Sequence, residues 1–486
     1  MTELWRLTLV EAGQGLRKKE FSALELVEAC LERLKATEPL VDACLTVLEE
    51  PARRRAAELD AAGWDPQKPL WGLPLTLKDV FCLSGAPTTA GSRILEGWKP
   101  PYEATVVKRL KQAGAIIVAK TNCDEFAMGS STEFSAFKPT KNPWNLQRVP
   151  GGSSGGAAAS VAARQTPGAF GTDTGGSIRQ PAALCGCVGL KPTYGRVSRY
   201  GIVAYGSSFD QAGPLARSAA DCALLLAATA GPDGLDSTAS LHPVDDYVGA
   251  AEKKPGELTL GLPRELWEGD FAPETGQTLD EAKRRLTAAG VKLKELSLPS
   301  LRFSVAAYYV LASAEASTNL ARYDGVRYGR RAPGPEDLRD LYVRSRTEGL
   351  GPEVRRRILL GTFVLSSGYY DAYFRKAAQV RRLIQQDWQA ALQRCDLLLA
   401  PVSSVQAWPL GAFIDDPLTT YQLDMMTLPL NLAGGPGLSL PAGLGADGLP
   451  VGVQLLGRAF DEAALLAAGR TLERLLPPVG EPPLAA

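Results

Sequence analysis

Apolar residues recur at helical spacing through Leu24, Leu26, Val27, Cys30, Leu31 and Leu34, which predicts a helical lead-in over residues 1–62, packed on whatever follows. The period then changes. Residues 73–77 form a short run of apolar and small side chains that predicts a buried strand, with Lys78 delivered at its end. Residues 105–113 read as a helix and 115–119 as a second buried strand. Similar runs at 258–262 and 397–401 read as strands, with a helix expected over 280–289 and an alanine- and leucine-rich one after Asp221. Strands alternating with helices predict an α/β fold, a mixed central sheet covered by helices on both faces. The alternation continues to the end, so one elaborated domain is expected over 63–486. Its loop-rich stretch at about 231–257 is the best linker candidate.

With 486 residues, 45% of them hydrophobic, the chain can bury a large core. No apolar run approaches the roughly 20 residues that cross a bilayer. The first residues carry no basic region followed by an apolar signal core, so the expected location is the cytoplasm. Basic and acidic residues balance at 53 each, whereas a domain that grips nucleic acid by itself usually has a basic excess. Any RNA contact is therefore expected through a partner. The arginines from Arg322 to Arg357 are interleaved with Asp324, Glu336, Asp337, Asp340, Glu348 and Glu353, a pattern expected of a solvated helical face. Eight scattered cysteines and a single histidine assemble no zinc pattern; the cysteines read as reduced core thiols, and no metal is expected. No phosphate-binding Gly-x-x-x-x-Gly-Lys loop is present.

The chemistry sits in two glycine-rich motifs, Gly151-Gly152-Ser153-Ser154-Gly155-Gly156 and Thr172-Asp173-Thr174-Gly175-Gly176-Ser177-Ile178-Arg179. Both set serines beside unhindered backbone amides, which suits the negative oxygen that forms when a carbonyl is attacked. A serine needs a base. The one histidine, His242, lies in a polar, turn-rich segment and reads as a surface residue. The alternative base is a lysine, which accepts a proton only if burial lowers its pKa from about 10.4. Lys78 has the right flanks for that, although taken alone it reads equally as a strand-end lysine reaching water.

The lysine on its apolar strand, the Gly-Gly-Ser-Ser-Gly-Gly run and Asp173-Thr174-Gly175-Gly176-Ser177-Ile178-Arg179-Gln180-Pro181, in this order, resemble the amidase signature family. The resemblance implies a Ser-cisSer-Lys triad: Ser177 as nucleophile, Ser153 on a cis peptide bond as proton relay, and Lys78 as base. It also implies an oxyanion hole from the backbone amides of Thr174, Gly175, Gly176 and Ser177. Asp173 and Arg179 are read as a structural pair inside the motif, and Ser154 as the cap of a helix over 157–163.

Further motifs, Met128-Gly129-Ser130-Ser131-Thr132-Glu133, the run from Lys191 to Gly201, Ser366 to Tyr373, and Asn431-Leu432-Ala433-Gly434, resemble the glutaminase subunits of tRNA-dependent amidotransferases in that family. That resemblance implies hydrolysis of glutamine, or asparagine, with ammonia passed on to tRNA-bound glutamate or aspartate. It implies partner subunits B and C, tRNA engaged through the complex, no cofactor in this chain, and ATP with Mg²⁺ in a partner's kinase site. An α-carboxylate and an α-ammonium call for one cation and one anion in the pocket. The family pattern places them at Arg357, with Arg355 and Arg356 as outward neighbours, and at Asp424, with Tyr308 or Tyr309 lining the same pocket. Two positions depart from the pattern: Ala157 stands where serine is expected, and Phe134, where a smaller residue is usual, is expected to narrow the pocket. Two other readings stay open: a free-standing amidase for small or fatty amides, and a non-enzymatic scaffold, which predicts a missing triad member where none is missing.

Overall fold

The structure, a computed structural model, describes residues 3–253 and 256–484. Their strands form one mixed sheet of eleven: β1 (Cys44–Val47), β2 (Pro74–Lys78), β3 (Ile116–Thr121), β4 (Gly168–Asp173), β5 (Val188–Lys191), β6 (Gln211–Ala216), β7 (Thr259–Pro263), β8 (Lys292–Leu296), β9 (Leu397–Pro401), β10 (Gly437–Leu444) and β11 (Pro450–Leu456). Their order across the sheet is β1-β3-β2-β4-β6-β5-β10-β11-β9-β7-β8. Parallel pairing holds β3, β2 and β4 together, and again β9, β7 and β8. The strands between and beside these two groups are antiparallel.

β2 and β4 are buried along their whole length, which is why they read as continuous apolar and small-residue runs rather than alternating ones. Because they are parallel neighbours, their C-terminal ends lie at the same edge. Lys78 closes β2 and Asp173 closes β4, so the lysine strand and the second glycine motif meet where α/β sheets commonly hold ligands. The first glycine motif arrives there on the helix Gly155–Ala162, whose residues are all buried. That helix packs backbone to backbone. A Cβ on Gly156 would collide with the carbonyl of Ala43 at 2.5 Å and the amide of Asn122 at 2.7 Å.

Three expectations change. The N-terminal segment is not wholly helical: between the helices Ala23–Val41 and Glu49–Ala62, β1 adds an edge strand antiparallel to β3. The stretch 231–257 is no free linker, since it contains the helix Tyr247–Glu252, with Tyr247 and Ala251 buried. The arginine-rich stretch has a solvated face, but Glu353 and Arg357 leave it for the interior, at 3% exposure each. No described helix is long and apolar enough to cross a membrane.

Candidate active site

Lys78 is fully buried. Its Nζ donates to Ser153 Oγ at 2.7 Å, Ser154 Oγ at 3.0 Å and Thr172 Oγ1 at 3.0 Å. Three hydroxyls satisfy the three N–H bonds of an ammonium, and among the described residues no carboxylate pairs with it. Burial pushes the Lys78 pKa down to about 8, with the field of Cys123, Asp124, Asp210 and Asp173 opposing that shift. A lysine so placed can be neutral near neutral pH and take up a proton.

The Gly152–Ser153 peptide is cis, and Ser153 is fully buried at the start of the helix Gly155–Ala162. Ser154 N–H donates to the Ser177 carbonyl at 3.1 Å, which holds the two serine-bearing segments side by side. Ser154 stands at the N-cap position, but its hydroxyl caps nothing. It accepts from Lys78 and donates to the Thr172 carbonyl at 3.1 Å. The physical reason is proximity to β4, whose hydrogen-bonding groups compete with the helix end for one hydroxyl.

The amides of the first glycine run are also otherwise engaged. Gly152 N–H goes to Gln180 Oε1 at 2.9 Å and Gly155 N–H to Thr132 Oγ1 at 3.0 Å. Those glycines serve close packing rather than an oxyanion. In the second motif Gly176 N–H is given to Asp173 Oδ1 at 2.9 Å, which removes Gly176 from the four expected oxyanion donors. Thr174, Gly175 and Ser177 remain.

Asp173 is the anchor of that turn. Its carboxylate accepts from the amides of Gly176 and Ile178 and from Arg179, whose Nε and Nη2 each stand 3.1 Å away. Burial alone would raise its pKa; Arg179, Lys191 and Asn431 more than offset it and bring it down to about 2. Arg179 is completed by Gln454 Oε1 at 2.7 Å, Asn431 Oδ1 at 2.6 Å and the Thr427 carbonyl at 3.1 Å. Both residues are thus satisfied inside the protein, in a structural pairing. Thr174 is tied by its hydroxyl to buried Asp210 at 2.6 Å. Asp210 also accepts from the amides of Tyr205 and Gly206.

In front of Ser177 lies a small cavity lined by Gly175, Ser130, Tyr205, Tyr308, Arg357 and Asp424, among others. Phe134 does not line it, so the expected narrowing does not occur; Phe134 is held by its amide on Asp124 Oδ1 at 3.1 Å. Arg357 comes from the helix Pro352–Val364, where Arg355 and Arg356 on the same turn face solvent. Its Nε donates to Glu353 Oε1 and its Nη1 to the Tyr205 hydroxyl, both at 2.7 Å. The guanidinium lies over the rings of Tyr205, Tyr309 and Tyr421. Opposite in charge, Asp424 accepts from Ser130 Oγ at 2.7 Å and Tyr309 hydroxyl at 2.7 Å. Burial pushes its pKa up to about 6, against the pull of those two donors and of Arg357. Tyr308 supplies wall and Tyr309 a hydrogen bond, so the two tyrosines divide the work between them.

Sequence reasoning missed Thr172, Ser130, Tyr205, Asp210 and Glu353. Ser130 lies in a quoted motif and could have been found from it. Thr172 stands in the second motif at an alternating strand position beside β2. Tyr205 carries no local signal, because its partner Arg357 is remote in sequence, whereas Glu353 lies one helical turn from Arg357 and Asp210 close to the amides it accepts from. His242 is exposed, stacks on Phe460 and contacts Arg196.

The amidase family model matches residues 25–466. The chain is 57% identical over 485 residues to the A subunit of glutamyl-tRNA(Gln) amidotransferase from Nitratidesulfovibrio vulgaris (strain DP4), covering 99% of each chain. Among solved structures, the A subunit of glutamyl-tRNA(Gln) amidotransferase from Thermotoga maritima superposes with a TM-score of 0.83 at 40% identity, over 100% of this chain and 99% of the other. A peptide amidase from Stenotrophomonas maltophilia superposes with a TM-score of 0.82 at 30% identity, over 98% of each. With its buried lysine on hydroxyls, its paired glycine motifs and a family match across most of its length, the chain belongs to the amidase family.

Proposed function

We propose that this chain is the glutamine-hydrolysing A subunit of a glutamyl-tRNA(Gln) amidotransferase. The observation that carries the reading is one cavity lined by Ser177, Arg357 and Asp424 together, beside a buried lysine held, among the described residues, by hydroxyls. Identity to proteins of that name along the whole chain supports it.

Glutamine enters with its α-carboxylate on Arg357. Two of the five guanidinium N–H groups hold Glu353 and Tyr205, and the rest remain for the substrate. The α-ammonium goes to Asp424, which Ser130 and Tyr309 orient. With the carboxamide so placed, neutral Lys78 takes the proton of Ser153, Ser153 takes that of Ser177, and Ser177 Oγ attacks the amide carbon. Backbone amides of Thr174, Gly175 and Ser177 hold the oxyanion. The proton returns along the same path to the departing nitrogen and ammonia leaves. Water, activated by the same base, then hydrolyses the acyl-enzyme to glutamate. Glycine is required where the oxyanion forms: a Cβ at Gly175 would press on the Tyr308 hydroxyl at 2.6 Å, and Gly176 has φ +132° against Thr427.

Ammonia would pass to partner subunits B and C, whose kinase site would hold ATP and Mg²⁺ for activation of the carboxylate of tRNA-bound glutamate, or of aspartate on its own tRNA. No nucleotide step is assigned to this chain. A free-standing amidase for small or fatty amides has no use for Arg357 and Asp424. The test is ammonia release from glutamine by the purified chain, alone and then with subunits B and C, ATP and glutamyl-tRNA. Glutaminase activity that rises sharply only in the full mixture supports the reading. Brisk turnover of simple amides by the chain alone, indifferent to partners, overturns it.

A further inference from the structure

Glu125 touches neither the cavity nor the triad, yet it is buried at 2% exposure and carries an acid into the interior. Its Oε2 accepts the Gly351 N–H at 2.8 Å. Gly351 is the N-cap of the helix Pro352–Val364, has no side chain to cap it, and would clash with Glu125 if it had one. A carboxylate at this point satisfies an orphan amide and meets the positive end of the helix dipole. The other oxygen, Oε1, is held by the Ser92 hydroxyl, which also reaches the Gly349 carbonyl at 3.1 Å. Glu125 therefore knots three segments: residues 89–95, the junction 349–352, and its own loop.

Both clamps of the cavity hang from that knot. The helix it caps carries Glu353 in its first turn and Arg357 one turn further on. The loop it belongs to continues through Ala127 and Gly129, which line the cavity, to Ser130, whose hydroxyl fixes Asp424. From this juxtaposition we infer that Glu125 is a positioning residue for amino-acid recognition: it sets the separation between the carboxylate clamp at Arg357 and the ammonium clamp at Ser130 and Asp424. The inference deepens the reading above and rests on it. A substrate that needs both clamps feels a loss of Glu125; a small electrophile that needs only an activated Ser177 does not.

The experiment uses the assembled amidotransferase and compares wild type with Glu125→Ala, Glu125→Gln and Arg357→Ala. Two quantities are read: glutaminase KM and kcat, and the rate at which methanesulfonyl fluoride labels Ser177, followed by mass spectrometry. Glu125→Ala is expected to raise the glutamine KM about tenfold or more, to change kcat less than KM, and to leave labelling within about twofold of wild type. Glu125→Gln keeps an acceptor oxygen for Gly351 and is expected to recover most of the KM; it also serves if the alanine variant does not fold. In an Arg357→Ala background, Glu125→Ala is expected to add less than about twofold, since coupled residues are not additive. An unchanged KM, labelling that slows in step with KM, or full additivity with Arg357→Ala overturns the role of Glu125. Those outcomes presuppose that wild type hydrolyses glutamine; if it does not, the proposed function itself fails.

Discussion

Two lysines at neighbouring strand ends are buried to the same degree and have opposite fates. Lys120 on β3 donates to Asp79 Oδ1 at 2.6 Å, to Thr88 Oγ1 at 3.0 Å and to the Pro87 carbonyl at 3.2 Å. Lys78 on β2, one register position away across the parallel pair, meets three hydroxyls and no carboxylate. Lys120 has a counter-ion in Asp79; a buried amine without one can give up its proton. Burial alone is not enough, as Lys191 shows. It too is buried and pushed down, to about 7, but among the described residues its Nζ donates to the Pro192 carbonyl at 2.8 Å and to no serine. A base here needs burial, no ion pair and a hydroxyl in hand. Asp424 extends the lesson to the acid side, since among the described residues its carboxylate is held by hydroxyls and forms no ion pair, as its proposed role toward a substrate ammonium requires.

The sharpest way to break the comparison is to remove each lysine's charge. Lys78→Met is expected to lower glutaminase kcat by about 10⁴-fold or more, as is Ser177→Ala. The complex should still amidate with free ammonia, because that route bypasses the hydrolytic site. Retained glutaminase activity in either variant would remove the proton path, and loss of ammonia-dependent amidation would sink the division of labour. Lys78→Met should not lower the thermal midpoint, since it relieves a buried amine of its desolvation. Lys120→Met strands Asp79 in the interior and is expected to cost about 3–5 kcal/mol of stability, read by denaturant unfolding, while the folded fraction keeps its kcat. A Lys120→Met variant that is stable but dead would reverse the assignment of the two lysines.

A smaller effect is expected at Asp424. Asp424→Asn keeps the shape and the contacts to Ser130 and Tyr309 but withdraws the charge, so the glutamine KM is expected to rise about 10- to 100-fold, with little change in the unfolding midpoint; an unchanged KM refutes the ammonium role. The mildest probe is pH. With Lys78 at about 8, the neutral base is the minor form below that value and the major form above it. The kcat at saturating glutamine should therefore climb about tenfold per pH unit below 8 and level off above it. A flat profile between pH 6.5 and 9 would place the base elsewhere.

Much of this is legible in the chain. Continuous apolar runs end at Lys78 and at Pro401 where the strands end, because strands buried on both faces need no alternation. The glycine motifs point to acyl chemistry, and the order of lysine, first motif and second motif carries the triad. Three expectations at or near the site fail in a similar way. Local pattern makes Ser154 a helix cap and Glu353 part of a solvated face, and the family resemblance makes Gly176 an oxyanion donor. Each is a polar group that found a partner other than the expected one. Lys78 and Thr172, brought in by other strands, took Ser154, whereas Asp173, three residues away, took the Gly176 amide and Arg357, one helical turn on, took Glu353.

By itself, then, the sequence determined the α/β alternation, the residues able to do the chemistry and the family they resemble, because periodicity and motif order are local properties of the chain. Tertiary structure alone decided which lysine is paired and which of three consecutive arginines turns inward. Those outcomes depend on the partners that strands and helices distant in sequence bring within about 3 Å, the range over which hydrogen bonds and ion pairs are formed.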